Sequence, residues 1–198
     1  MGARRLGRRR LHALDKKGKS LTAAEIGMGA GMSPALVSAN QTREGSIITT
    51  EIQLDLGTSK AAIASYATAA GIIGVLNADS TVADINDTDL WGHIMEVEMV
   101  CVEDLAGGND DVILTHHTVK VGGGTDNGGS DDASAGTQSA IDHATWVAGD
   151  NHRLAIATPA HTTHRYWTLV SGDNSVADTY TGGKLVVRFT GQANVDDV

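Results

Sequence analysis

The stretch "SIITTEIQLDLG" sets Ile48, Thr50, Ile52, Leu54 and Leu56 at every second position, with Thr49, Glu51, Gln53 and Asp55 between them. Successive side chains of a strand point to opposite faces, so this rhythm describes a strand buried on one side and wet on the other. It recurs in "WGHIMEVEMVCVED", where His93, Met95, Val97, Met99 and Cys101 share one face and Ile94, Glu96, Glu98, Val100 and Val102 the other. Near the end, Leu185, Val187 and Phe189 alternate with Val186 and Arg188, after the turn-forming "SGDNS" and "TGG". Further strands are expected at residues 72–76, 112–116, 118–121, 153–157 and 165–170, and a short helix within "AIDHATWVAG". Short strands with turn signals and no long amphipathic helix predict a mainly β chain, its body a β-sandwich or jelly-roll.

Charge divides the chain in two. Residues 1–20 carry Arg4, Arg5, Arg8, Arg9, Arg10, Lys16, Lys17 and Lys19 against one acid, Asp15, for a local charge of +7. The whole chain stands at −9, so the remainder holds 7 basic and 23 acidic side chains, or −16. Residues 1–44 show little apolar periodicity, and "EIGMGAGMSPALVSANQTREG" is small and Gly-punctuated, with Pro34 barring a helix at that point. We read residues 1–44 as a long extended basic arm, with one helical turn around residues 11–16, and residues 45–198 as the β body. Within the body, the Gly/Asp/Ser-rich run near residues 122–139 has nothing to bury and is expected to be an exposed loop.

A chain of 198 residues suffices for one good core, and with aromatics at 4% that core rests on Val, Ile, Leu and Ala. Cys101 stands alone, which excludes an intrachain disulfide framework. No apolar run approaches the roughly 20 residues a membrane span requires, so no membrane partner is expected. The basic start lacks the apolar stretch of a signal peptide, which also argues against a twin-arginine signal, and Leu6 stands where myristoylation favours Ser or Thr.

The candidate chemical motifs each lack something their chemistry needs. "GMGAG" (27–31) follows an arm rather than a strand and precedes Pro34, so it does not meet the context of a dinucleotide-binding turn. His116 and His117 are adjacent and point to opposite strand faces; His161 and His164 have helical spacing in a segment that begins at Pro159. Asp126, Asn127, Asp131 and Asp132 lack the ordered spacing of a calcium loop. Cys101 on an apolar strand face reads as packing. Glu96 and Glu98 share a face and have the residue type for acid/base work, but a solvated or subunit-facing strand accounts for them. No catalytic, metal or cofactor-binding residue is therefore assigned, and a non-enzymatic chain is expected.

That leaves the arm, with its eight cations, as the candidate partner-binding element. Against nucleic acid it would neutralise phosphates without reading sequence, and residues 1–44 hold no aromatic side chain on which bases could stack. Against protein the same arginines would pair with acidic surfaces, and the −16 body of another copy is one such surface. A homo-oligomer exchanging arms is the expectation.

The phrases "RRLGRRRLHALDKKG", "REGSIITTEIQLDLG" and "GGKLVVRFTG" resemble structural proteins of marine tailed bacteriophages. The resemblance implies a virion component assembled in the host cytoplasm and partnered by the major capsid protein or other virion subunits. The size and the absent spine helix match a capsid decoration or cement protein better than a major capsid protein. A head–tail or tail component, or a packaging protein using the arm on nucleic acid, is the alternative it leaves open.

Overall fold

The computed structural model describes residues 18–28, 32–57, 62–63, 70–73, 88–108, 111–117, 139–141, 143, 145–156, 166–171 and 178–193. These residues build a mainly β chain. Its largest unit is an antiparallel six-stranded sheet in the order β1 (Lys19–Leu21), β2 (Leu36–Glu44), β3 (Ile47–Asp55), β12 (Gly182–Gln192), β6 (His93–Ala106) and β9 (Asn151–Ala155). A four-stranded sheet runs β5 (Ala70–Ile73), β10 (Tyr166–Ser171), β7 (Val112–His117) and β8 (Ser139–Ile141). A small pair joins β4 (Ala62–Ile63) to β11 (Asp178–Thr179). The one α-helical turn among the described residues, α1 (Thr88–Trp91), leads into β6. No described helix is long and apolar enough to cross a membrane.

The alternation in β3 and β12 appears directly as burial. Ile48, Thr50, Ile52 and Leu54 are buried, as are Leu185, Val187 and Phe189 directly across from the β3 row. In β6 the pattern holds for Val97, Met99 and Cys101 but fails at the start of the strand. There Gly191 pairs with Ile94 and Thr190 with Glu96, so Met95 is an extra residue in a β-bulge. The bulge reverses parity, and Ile94 is buried in place of His93.

One cluster of buried side chains draws on both larger sheets: Val112, Leu114, Ile141, Trp167 and Leu169 join Ile52, Val97, Met99 and Val187. Trp167 stands edge-on to Phe189 with ring centroids 5.4 Å apart, and Trp91 does the same from α1 at 5.6 Å. Two tryptophans therefore meet Phe189 edge-on, an arrangement that adds favourable aromatic contacts to the aliphatic core.

Two sequence expectations need correction. Residues 36–44, read as arm, are β2, a body strand paired along its length with β3 through a two-residue hairpin at Gly45 (φ +63°) and Ser46. The polar sequence is tolerated because the strand's core positions are the small Ala39 and Gln41, whose amide donates to Thr50 Oγ1 at 3.0 Å and to the Leu90 carbonyl at 2.7 Å. The chain joins the sheet earlier still, at β1. Residues 22–28 then form a compact turn with the features of a capping box: the Thr22 amide donates to Glu25 Oε2 at 2.8 Å and the Glu25 amide to Thr22 Oγ1 at 3.3 Å. This turn seats Ile26 and Met28 in the core, and Leu21 before it and Met32 after it are also buried. The second correction concerns "AIDHATWVAG": its described residues form β8 and an irregular segment with a turn at 148–149, not a helix. Trp146 holds that segment by donating its indole N–H to the Val112 carbonyl at 2.7 Å.

The expected turn at residues 11–16, the strand at 118–121 and the end of the strand expected at 72–76 lie outside the described residues, as does the loop expected near 122–139 apart from Ser139, which is the first residue of β8.

Candidate functional site

Strand register places one polar residue from each of the six strands in a single row on the face of the sheet away from the core. Ser20 pairs with Asn40, Asn40 with Glu51, Glu51 with Arg188, Arg188 with Glu98, and Glu98 with Arg153. Side chains directly opposite on neighbouring strands lie within reach of each other, and the contacts follow. Ser20 Oγ donates to Asn40 Oδ1 at 3.2 Å. Arg188 spans its two neighbours, with Nη2 2.9 Å from Glu51 Oε2 and Nη1 on Glu98 Oε2. Arg153 donates to Glu98 Oε1 through Nε at 2.9 Å and through Nη2 at 2.8 Å, and reaches Glu96 Oε1 at 4.0 Å. Asn151 adds a third donor to Glu98 Oε1 at 2.8 Å, and Gln53 donates to Glu51 Oε1 at 3.0 Å.

Glu98 is the centre of the row. Only 3% of it is exposed, although it lies on the outward face, because the two arginines cover it. Burial pushes its pKa up, but the hydrogen bonds from Asn151 and Arg153 and the charges of Arg188 and Arg153 outweigh burial and hold the carboxyl below its ordinary value. Glu51 is lowered too, chiefly by its hydrogen bond from Arg188 and then by that from Gln53. Arg188 is held above its usual range, first by the hydrogen bond to Glu51.

Both Glu98 oxygens are filled by donors, and the carboxyl is held as a carboxylate. A general acid or base instead needs a pKa near its working pH and an oxygen free for substrate. The row therefore suits the joining of strands that are far apart in sequence. One consequence is an acid limit. Both carboxyls bind protons less readily in the fold than in the unfolded chain, so the unfolded chain gains protons first as pH falls. Their contribution is complete above the unfolded carboxyl pKa of about 4.3 and disappears as pH drops through the lowered folded values. Thermal melts from pH 6 to pH 3 should show Tm falling below about pH 4.5, and Arg188→Leu should flatten that fall.

A second cluster sits at the rim of the core. The His143 and His152 rings lie 4.2 Å apart, both edge-on to the buried Trp146, and His143 Nε2 is 3.3 Å from Asp150 Oδ2. Cys101 lies nearby with its amide on the Asp150 carbonyl at 2.9 Å. Burial, followed by the charges of Asp104 and Asp150, pushes its thiol up, which suits packing rather than reactivity. Among the described residues no group of three or more His, Cys, Asp or Glu is placed to hold a metal ion.

Of the eight arm cations, Lys19 alone falls within the described residues; Arg4, Arg5, Arg8, Arg9, Arg10, Lys16 and Lys17 lie outside them. Lys19 is the first residue of β1, and its Nζ is 3.2 Å from Glu25 Oε1. His161, His164, Asp126, Asn127, Asp131 and Asp132 also lie outside the described residues. The structure brings Glu98 and Glu96 together around Arg153, and adds Glu51, Arg188 and Asn151, which sequence reasoning did not join. The available signal was opposite charge at outward positions of strands, but it becomes a site only once the register is known.

Comparison with protein-family models, curated proteins and solved structures finds no match for this chain.

Proposed function

We propose that this chain is a structural protein of a tailed-bacteriophage virion, a non-enzymatic decoration or cement subunit whose basic N-terminal arm docks on neighbouring subunits. The observation that carries the reading is the division of charge within one molecule, +7 in residues 1–20 against −16 in the rest. Each copy thus offers an acidic surface to a neighbour's cations, an arrangement that favours ordered self-assembly over nonspecific clumping. The start of the described chain supports it. β1 is the edge strand of the six-stranded sheet, and Leu21, Ile26, Met28 and Met32 anchor the segment behind it. The segment that follows the arm cations in sequence is therefore a fixed root on the body. We assign the body a β-sandwich-like arrangement, because the two larger sheets contribute to one core.

Deleting residues 1–17 tests the reading, since β1 and its anchors remain. The truncated protein should keep the circular dichroism spectrum of the full chain and fail to join particles assembled without it. Normal incorporation would remove the arm from the mechanism. Titration against duplex DNA at two salt concentrations tests the packaging alternative. Binding by the full chain alone that weakens steeply with salt would favour nucleic acid as the partner.

A further inference from the structure

We infer that the free edge of β9 is a self-association edge, where two copies pair antiparallel through Arg153 and Ala155 about a two-fold axis at Leu154. β9 ends the six-stranded sheet, and among the described residues no strand pairs with its far side. The Asp150 carbonyl accepts from the Cys101 amide at 2.9 Å, and the Ile156 amide donates to the Met95 carbonyl at 2.7 Å. The even-numbered residues therefore turn their backbone groups toward β6. By alternation, the N–H and C=O groups of Asn151, Arg153 and Ala155 face the open edge. A row that no described strand pairs is a template for another strand.

Edges are often guarded by a free charge, and Arg153 stands in the middle of this one. It is not free: its guanidinium is drawn back across β6 onto Glu98 and Glu96. The even-numbered side chains are apolar enough to gain from pairing. Leu154 lies opposite the buried Val97 and is half-buried, and Ile156 is also packed against the core but incompletely covered. A second copy of β9 is the strand that fits. With Arg153 opposite Ala155 of the second copy, all four outward groups of these two residues find partners in each chain. Leu154 then meets its own symmetry mate at a non-hydrogen-bonded position, where side chains are closest, and Ile156 meets His152. The alternative register, with Arg153 facing itself, opposes like charges. The core row Thr50, Phe189, Val97, Leu154 would thus run unbroken through the two-fold axis into the second copy. The pairing belongs to the body and holds whichever assembly the chain serves.

Two variants of the full chain read it. Ala155→Pro removes an outward N–H and leaves the ladder to β6 intact. Its mass in solution, by light scattering, should fall by at least half relative to the unmodified protein, whose minimum mass should be twice 20.5 kDa. Leu154→Cys should form a covalent dimer on mild oxidation, because the facing Cα atoms would be about 4.5 Å apart, within disulfide reach. Ala155→Cys should not, and the buried Cys101 does not compete. A single-chain mass for the unmodified protein at every concentration, an unchanged mass for a folded Ala155→Pro, or a Leu154→Cys that crosslinks no better than Ala155→Cys would each overturn the proposal.

Discussion

Gly191→Ala should cost about 3 kcal/mol of stability, the upper end for an atom forced into a packed site, lowering Tm by roughly 6–12 °C for a chain of this length. A Cβ at residue 191 would overlap the carbonyl oxygen of Trp91, with the carbonyl carbon 3.2 Å away. Neither atom belongs to a flexible side chain, so the backbone of α1 or of β12 must move. Both are held. The Leu90 carbonyl is fixed by Gln41, and β12 is the central strand, paired with β3 on one side and β6 on the other. Gly92 is clamped as well, at φ +64° with the Gln192 carbonyl 2.7 Å from where its Cβ would stand. Any outward shift of α1 withdraws the Trp91 ring, now 2% exposed, from Phe189. Gly45→Ala supplies the control, because nothing lies within 4 Å of its Cβ position. There only the left-handed backbone is penalised, by about 1 kcal/mol. The measurement is thermal unfolding followed by tryptophan emission. A Gly191→Ala variant that melts with the unmodified protein, or no lower than Gly45→Ala, would refute the clamp.

The close approach of Gly191 to Trp91 illustrates what sequence reading reaches and what it misses. The alternation of β3 and β12 was legible because each strand keeps one face buried along its length, and period two survives unbroken in the side chains. The start of β6 was not legible, since the extra residue Met95 reverses parity there and no residue type marks the place. β2 escaped because its core positions are Ala39 and a hydrogen-bonded Gln41, which carry no apolar signal. The turn at Thr22 did leave a signature, Thr-x-x-Glu followed by Gly27 at φ +63°, but the surrounding small residues masked it. The ionic row is a different case. Glu51, Glu98, Arg153 and Arg188 are up to 137 positions apart, and only the order β3-β12-β6-β9 aligns them. The pairing of the last strand with two early ones is a tertiary fact with no local trace.

Arg188→Leu should cost about 2–3 kcal/mol, below the roughly 3–5 kcal/mol typical when one partner of a buried pair is removed, because the arginine side chain is itself 38% exposed and water can partly replace it. Its loss strips two carboxylates of the cation between them and leaves Glu51 and Glu98 facing each other across β12. Glu98 keeps Asn151 and Arg153, which limits the damage, but it is almost wholly buried and cannot recruit water freely. Arg188→Lys should rescue little, since one ammonium on a flexible stem cannot hold carboxylates on two opposite strands as a guanidinium fork does. Removing the acid as well should be milder than the single change: Arg188→Leu with Glu98→Leu exchanges a stripped charge for apolar contact and should recover part of the loss. Urea unfolding of the two single variants and the double variant gives the coupling directly. Additive losses, or an Arg188→Leu within about 0.5 kcal/mol of the unmodified protein, the range of ordinary surface substitutions, would mean that the row decorates the sheet without joining its strands. A coupling of 1 kcal/mol or more, on the order expected for contacting residues in one network, would make Arg188 the tie between the early hairpin and the central β6. The loss should then lower the urea midpoint of the whole sheet with the slope unchanged rather than fray one edge, because β12 pairs with both.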